Sequence, residues 1–402
     1  VTREQMSPQH WRTLTVSVYL PTTLALVGFG AVTPLIAITA QDLGASLAQS
    51  ALVVSLLGIG ALVGALPAGI IADRLGEQRA LVASLIVDAA AMAVAAFAPN
   101  FVVLGIAVFV LGVSEAVVTI ARQSFVTEFV PLTHRARALS TLGGVFRIGS
   151  FIGPLAGAAV VTLGGLRAAY WLAIATSLAA AIISAWLPDV EREAPPGAAP
   201  VHMAAILRAH AMTFLTLGVG AAALTLVRAS RDALLPLWAT SIGLDAAQTS
   251  LVFAASSLVD LTLFYLGGSM MDRLGRRAVA VPAMLIMGTC FGLLPLAATG
   301  IGLGAVALGL GLGNGISAGV VMTLGSDASP AVGRTQFLAG WRLTTGIGGA
   351  LGPVMISALA AVASLSAAAL AVAAIGWLGA AWLWHWASPP GDSPASRDAS
   401  AS

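Results

Sequence analysis

GIIADRLGEQ occupies residues 69–78, and a near copy, GGSMMDRLGRR, occupies residues 267–277. Asp73 in the first copy and Asp272 in the second are 272 − 73 = 199 residues apart. The same offset carries Gly44 onto Gly243, Gln49 onto Gln248, Gly76 onto Gly275 and Glu128 onto Asp327. It also carries Pro131 onto Pro330, Arg135 onto Arg334, Gly149 onto Gly348, and Gly153-Pro154 onto Gly352-Pro353. One register held without a gap along both halves marks a tandem duplication.

Composition says where the two copies reside. The chain is 58% hydrophobic and 9% charged, outside the usage of soluble domains. At ~20 apolar residues per crossing, twelve helices are expected, near 13–39, 48–72, 79–98, 101–129, 139–163, 168–187, 212–240, 248–271, 278–298, 302–325, 335–362 and 365–387. The expected architecture is all-α and integral to the membrane, two parallel six-helix bundles of six spans each. The bundles should occupy residues 1–188 and 211–388, joined by a Pro-rich cytoplasmic linker at 189–210 and followed by a disordered tail at 389–402. An even number of spans per copy makes both face the same way, a transporter arrangement with the substrate site at mid-membrane between the halves.

Arginine sets the expected orientation. With both termini inside, thirteen arginines fall on cytoplasmic segments, among them Arg74, Arg79, Arg135, Arg137, Arg273, Arg276, Arg277 and Arg334, while Arg167 falls outside. All 19 basic residues are arginine, so the lysine of a phosphate-binding G-x-x-x-x-G-K-[ST] loop is missing. Cys290 is the single cysteine, which excludes an intrachain disulfide and a cysteine metal cluster. The N-terminal stretch has no signal-peptide exit, so the first apolar segment is expected to remain as a span.

G-x-x-x-D-R-x-G between spans 2 and 3, repeated between spans 8 and 9, resembles the signature loop of the major facilitator superfamily. It is carried here by Gly69, Asp73, Arg74 and Gly76, and again by Gly268, Asp272, Arg273 and Gly275. The resemblance covers essentially the whole chain and implies a conformational latch, its aspartate facing the start of the eleventh helix and holding an outward-open state. A carboxylate near the positive end of a helix is stabilised there. In span 5, Gly149-x-x-x-Gly153-Pro154-x-x-Gly157 is similar to the glycine-proline motif of the drug:proton antiporter branch. Ser140 and Ala158 replace the motif's first and last glycines, and Val108 stands where that branch carries an arginine in span 4. Span 11 has its own copy at Gly348, Gly352 and Pro353, so antiport and helix packing at the interface between the halves fit the motif equally.

Charge within the spans locates the chemistry. A charged side chain at mid-helix costs roughly 2.5–3.5 kcal/mol on insertion scales, so such groups are paired or functional. They are Asp88, Glu115, Arg122, Arg147, Arg228, Arg231, Asp232, Asp260 and Arg342. Most break the repeat: Glu115 aligns with Asn314, Asp88 with Met287, Asp260 with Ala61 and Arg147 with Gly346. Glu115 and Arg147 are expected to pair in the N-terminal half of a cavity. Arg228, Arg231 and Asp232 are i, i+3 and i, i+4 neighbours with one guanidinium to spare, and Asp260 is the natural partner or a second protonation site. Asp88 reads as structural, and Arg122 and Arg342 as snorkelling residues or members of the latch network. Phe146, Trp238 and Trp341 are candidates to stack on a hydrophobic ligand or to pack. All five histidines lie near span ends or in cytoplasmic segments, so proton coupling is expected to run through Glu115 and Asp260.

The function these residues imply is secondary active transport, a proton-coupled efflux of amphipathic or drug-like molecules by rocker-switch alternating access. An anion carrier built on the intramembrane arginines is the alternative. No enzyme constellation, metal or cofactor is expected. The expected partners are a small-molecule substrate, protons and the lipid bilayer, without nucleic acid, for a monomer in the cell membrane.

Overall fold

The computed structural model describes residues 14–130, 132–186, 203–330 and 333–387. Twelve of its helices are long and apolar enough to cross a membrane. They are span 1 (Leu20–Asp42), span 2 (Leu47–Leu75), span 3 (Glu77–Ala96), span 4 (Phe101–Phe129), span 5 (Leu132–Gly164) and span 6 (Leu166–Ser184). The second series is span 7 (Ala211–Ser241), span 8 (Ala246–Leu274), span 9 (Arg276–Leu296), span 10 (Gly300–Ala328), span 11 (Arg334–Val362) and span 12 (Leu365–Trp386). No strand occurs among the described residues. That follows from the solvent, because an α-helix satisfies its backbone polar groups internally where no water can do so.

The described chain groups into two compact units, Val1–Ala194 with Ala239–Ser257, and Pro195–Trp238 with Leu258–Ser402. The second unit begins with a short helix, Met203–Ala209, inside the stretch expected to be linker. Residues 187–202 and the tail from 388 lie outside the described residues.

The duplication extends to the capping hydrogen bonds. Ser46 and Gln49 cap span 2 reciprocally: the Ser46 N–H donates to Gln49 Oε1 at 2.8 Å and the Gln49 N–H to Ser46 Oγ at 3.3 Å. One repeat later Asp245 and Gln248 do the same for span 8, at 3.0 and 2.8 Å. Asn100 caps span 4 and Thr299, at the same offset, caps span 10. The latch glycines Gly76 and Gly275 take φ of 83° and 85°, a left-handed turn that L side chains resist.

Glycine also sets the packing inside each unit. A Cβ on Gly153 would lie 2.7 Å from the Gly30 Cα, and one on Gly157 would lie 2.8 Å from the Ala31 carbonyl oxygen, so span 5 presses on span 1 backbone to backbone. In the second unit a Cβ on Gly352 would lie 2.7 Å from the Leu226 carbonyl, which brings span 11 onto span 7. The glycine-proline residues therefore make an interface within each half. Small residues there admit the neighbouring helix of the same bundle. Spans 2 and 4 meet the same way, through Gly60, Gly64 and Gly112.

Candidate functional site

Two clusters of polar side chains stand inside the apolar bundles, one in each unit. In the first, Ser114 of span 4 donates through its hydroxyl to the Ser84 carbonyl of span 3 at 2.8 Å, which pins the two helices together at the level of the charges. Asp88 lies one turn further along span 3, 8% exposed. Glu115 follows Ser114 on span 4, and its Oε1 accepts from Thr119 Oγ1 at 3.3 Å. Arg122 is 1% exposed and interacts electrostatically with both Glu115 and Asp88.

The fate of Arg122 corrects the sequence-based expectation. A snorkelling arginine keeps its head in water, whereas here the whole side chain is enclosed. Asp88, expected to be a structural residue of an outer helix, is the third member of the same cluster. Arg122 acts electrostatically on Glu115, and Arg147 of span 5, the expected partner of Glu115, is half-buried. Both terminal guanidinium nitrogens of Arg122 and Oδ1 of Asp88 lack a hydrogen-bond partner. Two carboxylates around one arginine leave one negative charge in excess.

The second cluster joins three helices. Arg228 of span 7 donates through Nε to Asn314 Oδ1 of span 10 at 2.5 Å, and Asn314 Nδ2 donates to Asp260 Oδ2 of span 8 at 2.5 Å. Asn314 is 8% and Asp260 6% exposed. Span 10 comes this close because residue 315 is glycine: a Cβ there would lie 2.8 Å from the Asp260 carbonyl oxygen. Immediately after the site the span is interrupted, running as helix over Gly300–Ile316 and again over Val320–Ala328. Glycines 315 and 319 flank the break and weaken the helix there. Its symmetry mate, span 4, continues without interruption.

Arg228 and Asp260 are thus linked through an amide that the sequence had shown only as the position aligned with Glu115. A neutral residue in the run GLGLGNGISAG carries no charge signal, which is why charge counting passed over it. Arg231 and Asp232 are neighbours on span 7 at 3.5 Å, and both act electrostatically on Arg228. Arg342 is exposed on span 11.

The aromatic candidates are packed. Trp341 is 3% exposed, donates its indole N–H to the Val321 carbonyl at 2.9 Å and stacks beside Phe337. Trp238 donates to the Ala297 carbonyl at 2.9 Å, and Phe146 packs against the core of the first unit. An apolar groove of about 320 Å³ runs between spans 2 and 4 past Leu52, Gly105 and Phe109, away from both charge clusters. Among the described residues no group of three or more metal-ligating side chains occurs.

Around the latch loops, Arg74 and Arg273 are exposed, and the surroundings of Gly69, Asp73 and Asp272 lie outside what is described. Beside the second loop, Arg276 Nε donates to Asp327 Oδ2 at 2.6 Å, and Arg334 donates to Ser326 Oγ at 3.0 Å. Arg277 sits over the Trp384 ring at 3.5 Å. At the same offset in the first unit, Gln78 donates to the Ala185 carbonyl at 2.8 Å, so one position pair ties span 3 to span 6 and span 9 to span 12.

Comparison with known proteins agrees with the fold. The family model of the Major Facilitator Superfamily matches twice, over residues 18–230 and 217–401. An uncharacterized MFS-type transporter of Mycobacterium tuberculosis is 27% identical over 192 residues, covering 48% of this chain and 28% of that protein. The multidrug resistance protein MdtG of Erwinia billingiae is 29% identical over 178 residues, 43% of each chain. The match therefore spans less than half the length of these relatives. Among solved structures, a bacterial homolog of the human lysosomal transporter Spinster superposes with a TM-score of 0.75 at 16% identity, over 95% of this chain and 97% of that one. The D-xylose-proton symporter superposes with a TM-score of 0.72 at 16% identity, over 92% and 97%. With a twice-matched family model over a duplicated set of twelve candidate membrane spans, the chain belongs to the Major Facilitator Superfamily as a multi-pass membrane protein.

Proposed function

We propose that this transporter exports amphipathic, drug-like molecules in exchange for protons, as a monomer in the cell membrane with both termini cytoplasmic. The observation that carries the reading is the cluster of buried Asp88, half-buried Glu115 and enclosed Arg122, two carboxylates interacting electrostatically with one guanidinium in an otherwise apolar bundle. An isolated carboxylate in that setting is costly, and a proton removes its charge. Glu115 is the site from which a proton exchanges, and Arg122 and Asp88 are the groups that feel its arrival. Asp260 is the corresponding carboxylate of the second unit. The resemblance to MdtG supports a multidrug substrate class, and the duplicated bundles support rocker-switch alternating access with the loops at Asp73 and Asp272 as latches. Arg147, Arg228 and Arg231 are then cavity residues of the two halves.

The test uses liposomes that hold the protein and a pH-sensitive dye, challenged with ethidium as a lipophilic cation. Ethidium-triggered proton movement that disappears in Glu115→Gln, while the variant still folds and inserts, is the expected result. A second reading draws on the two partnerless guanidinium nitrogens of Arg122, which suit an anionic group. Uptake of organic anions without proton movement, lost in Arg122→Gln, would replace antiport with anion carriage.

A further inference from the structure

We propose that Arg277 and Trp384, where spans 9 and 12 meet at the membrane boundary, bind the phosphodiester of an anionic lipid headgroup. The pair is built by helix packing. A Cβ on Gly376 of span 12 would lie 2.8 Å from the Gly288 Cα of span 9, and one on Gly288 would lie 3.0 Å from the Trp377 ring. The Trp377 indole N–H donates to Thr289 Oγ1 at 3.4 Å. Trp384 stands 384 − 377 = 7 residues further on, so it shares that face of span 12. There the Arg277 guanidinium lies over the Trp384 ring, 3.5 Å from its centroid. Arg277 is the second residue of the span 9 helix and Trp384 comes two residues before the end of span 12, which sets the stack at the edge of both. The ring remains 60% exposed.

Two adjacent arginines are satisfied differently here. Arg276 pairs with Asp327 at 2.6 Å. Arg277, half-buried, has no carboxylate partner among the described residues, and its Nε is enclosed without a hydrogen-bond partner. The indole covers one face of the guanidinium and Nε is closed off, so a ligand meets the two terminal nitrogens. Their N–H groups form a flat fork that matches two oxygens of a phosphate, on a cation that is only weakly hydrated.

The repeat separates this pair from ordinary helix packing. Residues 277 and 384 are the mates of Gln78 and Ala185, where a neutral amide donates to a backbone carbonyl at 2.8 Å. That contact ties its two helices without a charge. The second unit places a cation with open donors and an indole at the same two positions. Indole rings settle at headgroup depth, and basic side chains between spans at a membrane edge attract anionic headgroups. The surface next to the stack selects a lipid over a free phosphate: on the same face of span 12, two turns deeper, Trp377 is 45% exposed and offers an apolar track for an acyl chain.

The experiment is native mass spectrometry of the full chain in detergent, titrated with dioleoyl phosphatidylglycerol or dioleoyl phosphatidylcholine. The wild type should retain phosphatidylglycerol several-fold more than phosphatidylcholine. Arg277→Gln should bring phosphatidylglycerol down to the phosphatidylcholine level, whereas Arg276→Gln, the same loss of charge one residue away, should leave the preference in place. Arg277→Lys keeps the charge without the flat fork and should fall between the wild type and Arg277→Gln. Trp384→Leu removes the ring, leaves the cation and should also lower retention, so it decides the matter if the melting temperature shows that Arg277→Gln does not fold. Equal retention of the two lipids by the wild type overturns the site. An equal loss in Arg276→Gln and Arg277→Gln overturns it too, since net charge alone would then attract the lipid. Displacement of phosphatidylglycerol by equimolar inorganic phosphate makes free phosphate the ligand and overturns the lipid assignment.

Discussion

At the scale of single residues, Arg122 is the most informative side chain. It is enclosed, interacts electrostatically with buried Asp88 and half-buried Glu115, and has two nitrogens without hydrogen-bond partners, so its removal leaves their negative charge uncompensated. Loss of one partner from a buried pair costs about 3–5 kcal/mol. Arg122→Ala should therefore lower the melting temperature in detergent far more than Arg74→Ala, a change at an exposed site. Adding Glu115→Gln and Asp88→Asn to Arg122→Met should restore most of the loss. Equal melting temperatures for Arg122→Ala and Arg74→Ala would show that the cluster carries no excess charge. Arg122 was visible in the sequence as an intramembrane arginine, but its burial was not, because the seven-residue step from Glu115 gives only a shared helix face. Which helix covers that face is decided by span 3.

The adjacent glycines 348 and 349 pose the question at the scale of elements. A Cβ on Gly348 would overlap the Ala222 backbone of span 7, whereas around Gly349 nothing lies within 4 Å. Gly348→Ala should force spans 7 and 11 apart and destabilise the protein by about 1–3 kcal/mol. Gly349→Ala should stabilise it by up to about 1 kcal/mol, since alanine is the better helix former. Thermal melts of the two variants compare directly, and equal shifts would mean that spans 7 and 11 do not pack through this face. The caps belong to the same scale. Asp245→Ala removes the acceptor for the Gln248 N–H and should cost about 0.5–2 kcal/mol. The Gln49 and Gln248 pair was legible as a repeat, yet its role as a capping partner emerged only with the helix starts in place.

For the molecule as a whole, the arginine distribution makes a topological prediction. With Cys290 replaced by Ser, a cysteine at exposed Ala298, in the turn between spans 9 and 10, should react with a membrane-impermeant maleimide added outside intact cells. A cysteine at exposed Arg79, beside the first latch loop, should react only after the membrane is opened. The reverse pattern would overturn the orientation drawn from arginine. At this scale the symmetry of the scaffold and the asymmetry of its chemistry separate cleanly. Caps, latch glycines and the packing of spans 5 and 11 repeat at an offset of 199, while the charge cluster of the first unit and the amide-linked cluster of the second do not.

The twelve spans, the duplication and the superfamily were all determined by the sequence, because hydrocarbon demands long apolar helices and a duplication leaves its register in the residues. Asp260, Glu115 and Arg228 were likewise marked in advance by the cost of charge in a bilayer. Only the tertiary structure decided the partners. Arg122 joins Glu115 and Asp88 because Ser114 draws span 4 onto span 3. Asn314 joins Arg228 to Asp260 because a glycine lets span 10 reach span 8. A pattern along one helix fixes which side chains share a face; which helix meets that face depends on where small residues permit two backbones to touch.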